Sequence, residues 1–192
     1  MIVVLASGTG TNFEAIADAF PNKVKALICN IENAKVIAKA KQRNIPSYVV
    51  PHKNFISRNE HEIALLQSIK HLTDIKVIVL AGYMRVLTNI FFNEINKFSF
   101  PPLLINLHPA PLHLYKGAHA YEYAVDNKVT NWGLTVHEVI PELDSGKILN
   151  FISFPVFPFE NTEQLKERVR PLEHQLLIKS IKKIISQENV TL

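Results

Sequence analysis

The sequence has a single cysteine, Cys29, among its 192 residues. One thiol excludes an intramolecular disulfide and a metal site built from cysteines alone. Sparse use of cysteine is typical of a reducing compartment, so we expect a cytoplasmic protein.

Long hydrophobic runs are also missing. No apolar stretch approaches the roughly 20 residues that cross a bilayer. Residues 1–6 are apolar, but they carry no basic leader and are too short for a signal peptide. We therefore expect a soluble protein that is not exported and has no membrane partner.

The chain has no dense block of charge of one sign. Its net charge of +4 comes from 21 Lys and Arg against 17 Asp and Glu, and the basic residues are scattered. Their clearest concentration is the last predicted helix, whose charges are typical of a solvated face. Nucleic-acid binding needs a denser basic patch with stacking aromatics, so we expect none, whereas small anions fit this charge.

Several catalytic signatures are absent. No H-E-x-x-H or C-x-x-C spacing occurs, so we expect no metal site. The chain also has no G-x-S-x-G, and Cys29 lies in an apolar stretch, which argues against a serine or cysteine hydrolase.

What the chain does contain is an alternation of apolar strands and amphipathic helices. Strands are predicted at residues 1–6, 24–29, 47–50, 76–80, 103–108, 132–139 and 147–156. Helices are predicted at residues 13–20, 34–43, 60–72, 118–126 and 162–185, the last capped by Asn161 or Thr162. This order predicts one Rossmann-like α/β domain over residues 1–192, with a mostly parallel, twisted sheet of about seven strands and helices on both faces.

A loop of small residues, Ser7-Gly8-Thr9-Gly10-Thr11-Asn12, follows the first strand and leads into a helix. Thr11 and Glu14 have the spacing of a capping box. Free N–H groups and the helix dipole make such a turn a phosphate site. The loop is neither G-x-G-x-x-G nor a Walker loop, and a simple tight turn is the alternative.

The segment PPLLINLHPAP, residues 101–111, presents a second site. Asn106 and His108 project to the same face of a buried strand. Pro109 and Pro111 lack the N–H that would continue the sheet. An amide that bonds a carbonyl oxygen then lies beside an imidazole that can move protons. The alternative is a polar strand end with a loop histidine.

Asp144 lies in a turn-rich loop and precedes a Ser-Gly pair. Taken alone it is an ordinary turn aspartate. Together with an asparagine and a histidine, a carboxylate suits acyl transfer to an amine, because it orients the imidazole and raises its pKa. Ligands of parallel sheets bind beyond the carboxyl ends of the strands, so we expect the loops after residues 6, 80 and 107 to share a crevice.

These motifs together resemble the glycinamide ribonucleotide formyltransferases, and the resemblance covers essentially the whole chain. It is carried by the loop at residues 7–12, by Leu80-Ala81-Gly82-Tyr83-Met84-Arg85-Val86-Leu87, by Ile105-Asn106-Leu107-His108-Pro109, by Glu142-Leu143-Asp144-Ser145-Gly146, and by Arg168-Val169 with Glu173-His174.

The resemblance implies a reaction and a set of roles. A formyl group passes from 10-formyltetrahydrofolate to the amine of a ribonucleotide, with Asn106, His108 and Asp144 catalytic and with no metal. Residues 1–100 form a nucleotide- and phosphate-binding half, and residues 101–192 a catalytic and folate-binding half. The substrate would be held by Gly10, Thr11, Asn12 and Glu173. The folate would be held by Arg58 in the loop before the third helix, and by Met84, Arg85, Val86, Leu87, Asn106 and Leu143.

The sequence departs from the family pattern at residues 110–117, where the loop that shapes the substrate entrance differs, and at Ser145, where glycine is usual. Two alternative interpretations remain. One is another enzyme that uses 10-formyltetrahydrofolate, such as a hydrolase or a transferase for tRNA or sugar amines. The other is a nucleotide-binding module without catalysis. We expect a monomer or weak homodimer, and structural rather than catalytic roles for His119, His137 and His174.

Overall fold

Strands and helices alternate along the chain in this computed structural model, which describes residues 1–186. The strands are β1 Ile2–Ala6, β2 Val24–Cys29, β3 Ser47–Val49, β4 Val77–Leu80, β5 Leu103–His108, β6 Asn131–Glu138 and β7 Ile148–Pro155. The helices are α1 Thr11–Ala19, α2 Lys35–Gln42, α3 Arg58–Lys70, α4 Asn89–Ile95, α5 Ala120–Asp126 and α6 Thr162–Ser186. A 3-10 turn covers His52–Asn54.

The sheet has seven strands in the order β3-β2-β1-β4-β5-β6-β7. β1 pairs in parallel with β2 and with β4, and β2 pairs in parallel with β3. β6 and β7 are antiparallel, as a short connection between consecutive strands allows. The predicted α/β class and the mostly parallel sheet are confirmed.

The chain divides into two compact units, Met1–Ile105 and a second that begins at Asn106. In the first unit every residue of β1 is buried, because helices cover parallel sheets on both faces. Cys29 at the end of β2 is likewise buried. In the part of the chain that the structure describes, no helix is both long and apolar enough to span a membrane.

The capping box predicted at Thr11 and Glu14 is wrong. Gly10 caps α1 with a left-handed backbone, φ 77°, and no side chain bonds the helix end. A Cβ at Gly10 would lie 2.4 Å from Val36 Cγ2, so both the dihedral angle and the close approach of α2 require glycine. Glu14 instead forms ion pairs with Lys39 in α2 and with Arg43, the residue that caps the C-terminus of α2.

A reciprocal side-chain cap does form at the start of α3, as a variant of the capping box in which the return bond reaches the residue before the N-cap. Ser57 Oγ accepts a hydrogen bond from Glu60 N at 3.2 Å, while Glu60 Oε2 accepts one from Ile56 N at 3.3 Å. The helix therefore begins earlier than its apolar face predicts, and Arg58 is its first residue rather than a loop residue. Helix α4, Asn89–Ile95, was not predicted; it packs on α3 through Phe91 and Ile95, which are both buried.

In the second unit, α6 packs against α5, β6 and β7. The proline-containing turn after β5 is tied to β6 by side chains. Trp132 Nε1 donates to Pro109 O at 2.8 Å, and Thr135 Oγ1 donates to Ala110 O at 2.7 Å. The carbonyls that leave the sheet at the prolines therefore find partners on the neighbouring strand.

Asn161 caps α6, as predicted. Asn161 Oδ1 accepts from Gln164 N at 2.9 Å, and Gln164 Oε1 accepts from Asn161 N at 3.0 Å. Replacing Asn161 by alanine removes the acceptor of the Gln164 N–H, and should lower the free energy of unfolding by about 1 kcal/mol. Urea denaturation followed by circular dichroism measures this. Asn161→Asp retains an acceptor and should unfold like the unmodified protein; equal losses in both variants would contradict the capping role.

Candidate active site

The end of β5 carries two of the predicted site residues. His108 is buried, with 4% of its surface exposed, and Asn106 is half-buried. Asn106 Nδ2 lies 3.3 Å from His137 Nε2, and the rings of His108 and His137 meet edge to face at 6.3 Å. The structure thus brings Asn106 and His108 together around a histidine of β6.

Both ring nitrogens of His108 face acceptors. Nε2 donates to the carbonyl of Tyr115 at 3.1 Å, and Nδ1 lies 3.4 Å from Asp144 Oδ2. An ionised carboxylate and a carbonyl can each accept a hydrogen bond, but neither can donate one. This arrangement therefore favours the protonated imidazolium, which has an N–H for each of them.

Asp144 joins the other groups of the site. Its carboxylate is buried, and besides His108 it faces His137 Nε2, 3.5 Å from Oδ1, and Gly117 N–H, which donates to Oδ2 at 2.8 Å. Its backbone is left-handed, with φ 45°, a conformation that aspartate adopts more readily than most residues. The loop holds this carboxylate at some cost in backbone energy.

His137 has a defined tautomer when it is neutral. Nδ1 donates to the carbonyl of Glu138 at 2.8 Å, so Nε2 has a lone pair and accepts from the Asn106 amide. When Nε2 is protonated it can donate to Asp144 instead. The contact with His137 uses at most one of the two hydrogens on Asn106 Nδ2, so the other can serve a ligand.

Burial lowers the pKa of His108, although Asp144 and the Tyr115 carbonyl each act to raise it. The expectation that Asp144 raises the pKa of this histidine is therefore correct in sign, but burial outweighs it. Burial alone would raise the pKa of Asp144; the hydrogen bonds from His137 and Gly117, with the charge on His108, hold it below its ordinary value. Asp144 is thus ionised at neutral pH beside a histidine that can gain and release a proton.

The loop at residues 113–119 completes this site with backbone groups. It supplies the Tyr115 carbonyl and the Gly117 N–H, and Lys116 Nζ bonds Ser145 Oγ at 2.6 Å. Sequence reasoning had marked this loop only as a departure from the family pattern. Backbone contacts depend on loop conformation rather than on side-chain type, so the sequence had no signal for them.

His137 was the other group that sequence reasoning missed. It was expected to be structural, yet it contacts Asn106 and Asp144 and is 2% exposed. In the sequence, His137 shares the polar side of the alternation with Thr135, opposite Leu134 and Val136, so the pattern indicates an exposed side chain. The structure buries both faces of β6, and an unpaired polar side chain is costly there. An interior histidine there requires polar partners.

In the first unit, the turn at residues 7–12 ends at the N-terminus of α1, as predicted. Thr11 and Asn12 are the first residues of the helix, where backbone N–H groups have no helical partner. Asn12 Oδ1 is buried without a hydrogen-bond partner in the described part of the chain. Gly10, with its left-handed backbone, leads the chain into the helix, and the free N–H groups at this helix N-terminus are suited to bind an anion.

The segment at residues 82–88 also lies in the first unit, beside the turn after β1. Ser7 N donates to Gly82 O at 3.1 Å, and Ser7 Oγ accepts from Met84 N at 2.9 Å. Met84 and Val86 are exposed, Arg85 is half-buried and Leu87 is buried. Two of the three loops predicted to share a crevice are therefore adjacent; the place of the third stays a prediction.

The remaining predicted residues make none of the hydrogen bonds described above. Arg58 is exposed at the start of α3, Leu143 is exposed beside Asp144, and Glu173 accepts a hydrogen bond from Tyr121 Oη at 2.5 Å on α6. Within residues 1–186, no group of three His, Cys, Asp or Glu side chains is placed to hold a metal ion.

Comparison with known proteins identifies the class of this chain. A family model described as formyl transferase matches residues 1–181. The chain therefore belongs to the formyl transferase family and is a transferase enzyme.

The resemblance found in the sequence is confirmed by relatives and by solved structures. The chain is 35% identical to a phosphoribosylglycinamide formyltransferase of Dictyostelium discoideum, over 94% of this chain and 96% of that protein. It is 36% identical to the enzyme of that name from Haemophilus influenzae, over 91% of this chain and 82% of that protein. A Streptococcus pneumoniae phosphoribosylglycinamide formyltransferase superposes with a TM-score of 0.87 at 29% identity, over 96% of this chain and 98% of that one.

Gly146 keeps the Asp144 loop against β6. A Cβ at this position would lie 1.8 Å from the carbonyl oxygen of Glu138, which the backbone cannot avoid. Gly146→Ala should lower the free energy of unfolding by roughly 1–3 kcal/mol, as overpacking does, in thermal or urea denaturation. Gly8→Ala is the matched control, since nothing lies within 4 Å of a Cβ there, and equal destabilisation of the two variants would refute this account.

The charge of Asp144 should be measurable in the titration of His108. Because the carboxylate acts to raise the pKa of His108 while burial lowers it, Asp144→Asn should lower that pKa further. Titration of the histidine ring signals by NMR measures the shift. Asp126→Asn, which removes a carboxylate of α5, should leave the titration unchanged. An unchanged or raised pKa in Asp144→Asn would contradict the proximity of the two charges.

Proposed function

We propose that this enzyme transfers the formyl group of 10-formyltetrahydrofolate to the amine of N1-(5-phospho-D-ribosyl)glycinamide, a step of purine synthesis. The observation that carries the proposal is the cluster that half-buried Asn106 forms with the buried side chains of His108, Asp144 and His137. Relatives with the name of this activity match nearly the full length of the chain. The reaction needs no metal in this scheme.

Asn106 and His108 act on the formyl oxygen. As the amine attacks the formyl carbon, that oxygen gains negative charge, and the free hydrogen of the Asn106 amide with an N–H of imidazolium His108 stabilises it. The contact of His108 Nε2 with the Tyr115 carbonyl must be exchanged for one with the substrate. The bond from the formyl carbon to the folate nitrogen then breaks as imidazolium His108 donates a proton to that nitrogen, and the proton lost by the attacking amine restores the imidazolium.

Asp144 supports the charged form of His108. Its carboxylate lies 3.4 Å from Nδ1 and is ionised, so it favours the imidazolium against the opposing effect of burial. A group that stabilises charge which develops mainly in the transition state changes kcat more than substrate affinity.

The substrate phosphate fits the N-terminus of α1. Gly10, Thr11 and Asn12 offer N–H groups and the positive end of the helix dipole, and the buried Asn12 side chain requires a polar partner. Glu173 would contact the glycinamide nucleotide. Its carboxylate would then interact with the nucleotide as well as accept the hydrogen bond from Tyr121 Oη.

The segment containing Met84, Arg85, Val86 and Leu87 suits the folate ring system. It combines exposed apolar side chains with a backbone that is anchored at Ser7, and a flat heterocycle needs both apolar contact and fixed hydrogen-bonding groups. Arg58 would meet the anionic folate tail, and Asn106 and Leu143 would complete the folate contacts.

The working partners in this proposal are these two small molecules. The protein would act in the cytoplasm as a monomer or weak homodimer, without nucleic acid or membrane. Analytical ultracentrifugation over a concentration series measures the oligomeric state.

The reaction is followed by the change in ultraviolet absorbance as 10-formyltetrahydrofolate becomes tetrahydrofolate. Turnover should require the glycinamide nucleotide. Asp144→Asn should lower kcat by roughly 100-fold to 10,000-fold, the range of a general acid–base contribution, with a much smaller change in KM. Asp126→Asn should be unaffected.

The other outcomes select a rival function. Turnover of the folate without any amine identifies a hydrolase. Turnover with a sugar amine or tRNA in place of the nucleotide identifies a different acceptor. Binding of nucleotide without formyl transfer identifies a binding module.

A further inference from the structure

Glu62 on α3 is a buried carboxylate that the proposed mechanism does not use. Only 1% of its surface is exposed. Both of its oxygens accept hydrogen bonds from one residue: Oε1 from Thr88 N at 2.9 Å, and Oε2 from Thr88 Oγ1 at 2.6 Å. A carboxylate is kept in an interior only when such bonds compensate its lost hydration, so this pair is a specific contact.

Thr88 is the last residue of the segment at residues 82–88, just before α4. The other end of the segment is held by Ser7, whose hydroxyl accepts from Met84 N at 2.9 Å and donates to Asn30 Oδ1 at 2.6 Å. The residues from Met84 to Leu87 therefore lie between two anchors. One anchor belongs to the turn after β1, and the other is the side chain of Glu62.

The charge of Glu62 offers a second role that must be separated from the first. Arg85 acts to lower and Glu62 to raise the pKa of His61, and both also act on Tyr83, so the two charges influence the same part of the structure. Glu62 could act by charge on Arg85 or by hydrogen bonds to Thr88. The two hydrogen bonds are short and specific, whereas the structure gives no ion pair between Glu62 and Arg85 in its described part.

We infer that Glu62 is a positioning residue for the folate substrate: through Thr88 it fixes the segment whose backbone and apolar side chains bind the pterin. This inference rests on the proposed function. It assigns to α3 a part in folate recognition through a residue that does not itself touch the folate. The geometry also explains why a carboxylate occupies a buried position of α3 that an apolar residue would otherwise fill.

The test compares three variants in steady-state kinetics with both substrates. Glu62→Ala removes both hydrogen bonds and should raise KM for 10-formyltetrahydrofolate roughly tenfold or more, since small misplacements of a binding group have large effects. The KM for the glycinamide nucleotide and kcat should stay within about twofold, as expected when binding common to ground and transition states is lost. Thr88→Val should change the same KM in the same direction by less, because Thr88 N still bonds Glu62.

Glu62→Gln separates position from charge. Its amide oxygen can still accept from Thr88 N, and its amide N–H can donate to the hydroxyl after that group rotates. A KM close to that of the unmodified enzyme is therefore expected. If Glu62→Gln loses as much affinity as Glu62→Ala, the role of Glu62 is electrostatic and the inference is overturned.

Two further measurements make the test independent of turnover and of stability. Calorimetric titration should show that tetrahydrofolate binds more weakly to Glu62→Ala than to the unmodified protein. The affinity for the glycinamide nucleotide should be the same in both. Ile69→Val trims a fully buried side chain of the same helix and should lower Tm without changing either affinity. Folate affinity unchanged in Glu62→Ala, or lowered equally in Ile69→Val, overturns the inference. If the unmodified protein neither transfers formyl nor binds tetrahydrofolate, the proposed function itself fails first, and that result is recognised before any variant is measured.

Discussion

The geometry of the candidate active site depends on one buried negative charge. Asp144 can remain ionised there only because His108, His137 and the Gly117 N–H surround it. Each of these partners is in turn held by a backbone group, the Tyr115 carbonyl for His108 and the Glu138 carbonyl for His137. The carboxylate thus lies between two rings, of which His137 uses one nitrogen, Nε2, either to accept from Asn106 or to donate to Asp144. Removal of the charge would leave polar groups without partners in an apolar surrounding.

The elements that sequence reasoning predicted well are those whose burial is complete. β1 and β4 are short, unbroken apolar runs because helices cover both of their faces, and their length and β-branched residues favour a strand over a buried helix. Helix starts were harder. The capping-box spacing occurs at Thr11, Ser57 and Asn161, and reciprocal side-chain capping forms at the last two but not at Thr11. At Thr11, the approach of Val36 demands a left-handed glycine instead, and a contact between residues so distant in sequence leaves no local trace.

The candidate site divides in the same way. Asn106 and His108 were predicted from residue type and from the strand end, and Asp144 from the chemistry it offers beside them and from the family resemblance; the structure brings the three together. Tyr115 and Gly117 contribute main-chain atoms, so their side chains gave no signal. Arg58 was assigned to a loop because the apolar face of α3 begins only after its first turn, whereas the cap at Ser57 starts the helix earlier. His137 lies on the polar face of the alternation in β6, and its burial results from tertiary packing that a local pattern does not indicate.

The cross-links between residues 113–119 and the Asp144 loop bear on how this site can admit a ligand. Gly117 is bonded to Asp144 and Lys116 to Ser145, so neither loop can be displaced without carrying the other. The Tyr115 carbonyl that occupies His108 belongs to the same tethered pair. Any outward swing of the pair would therefore release the imidazole N–H and withdraw the carboxylate in one motion. Opening of the site to a ligand and the proton affinity of its histidine are therefore coupled, because the same loop displacement changes both.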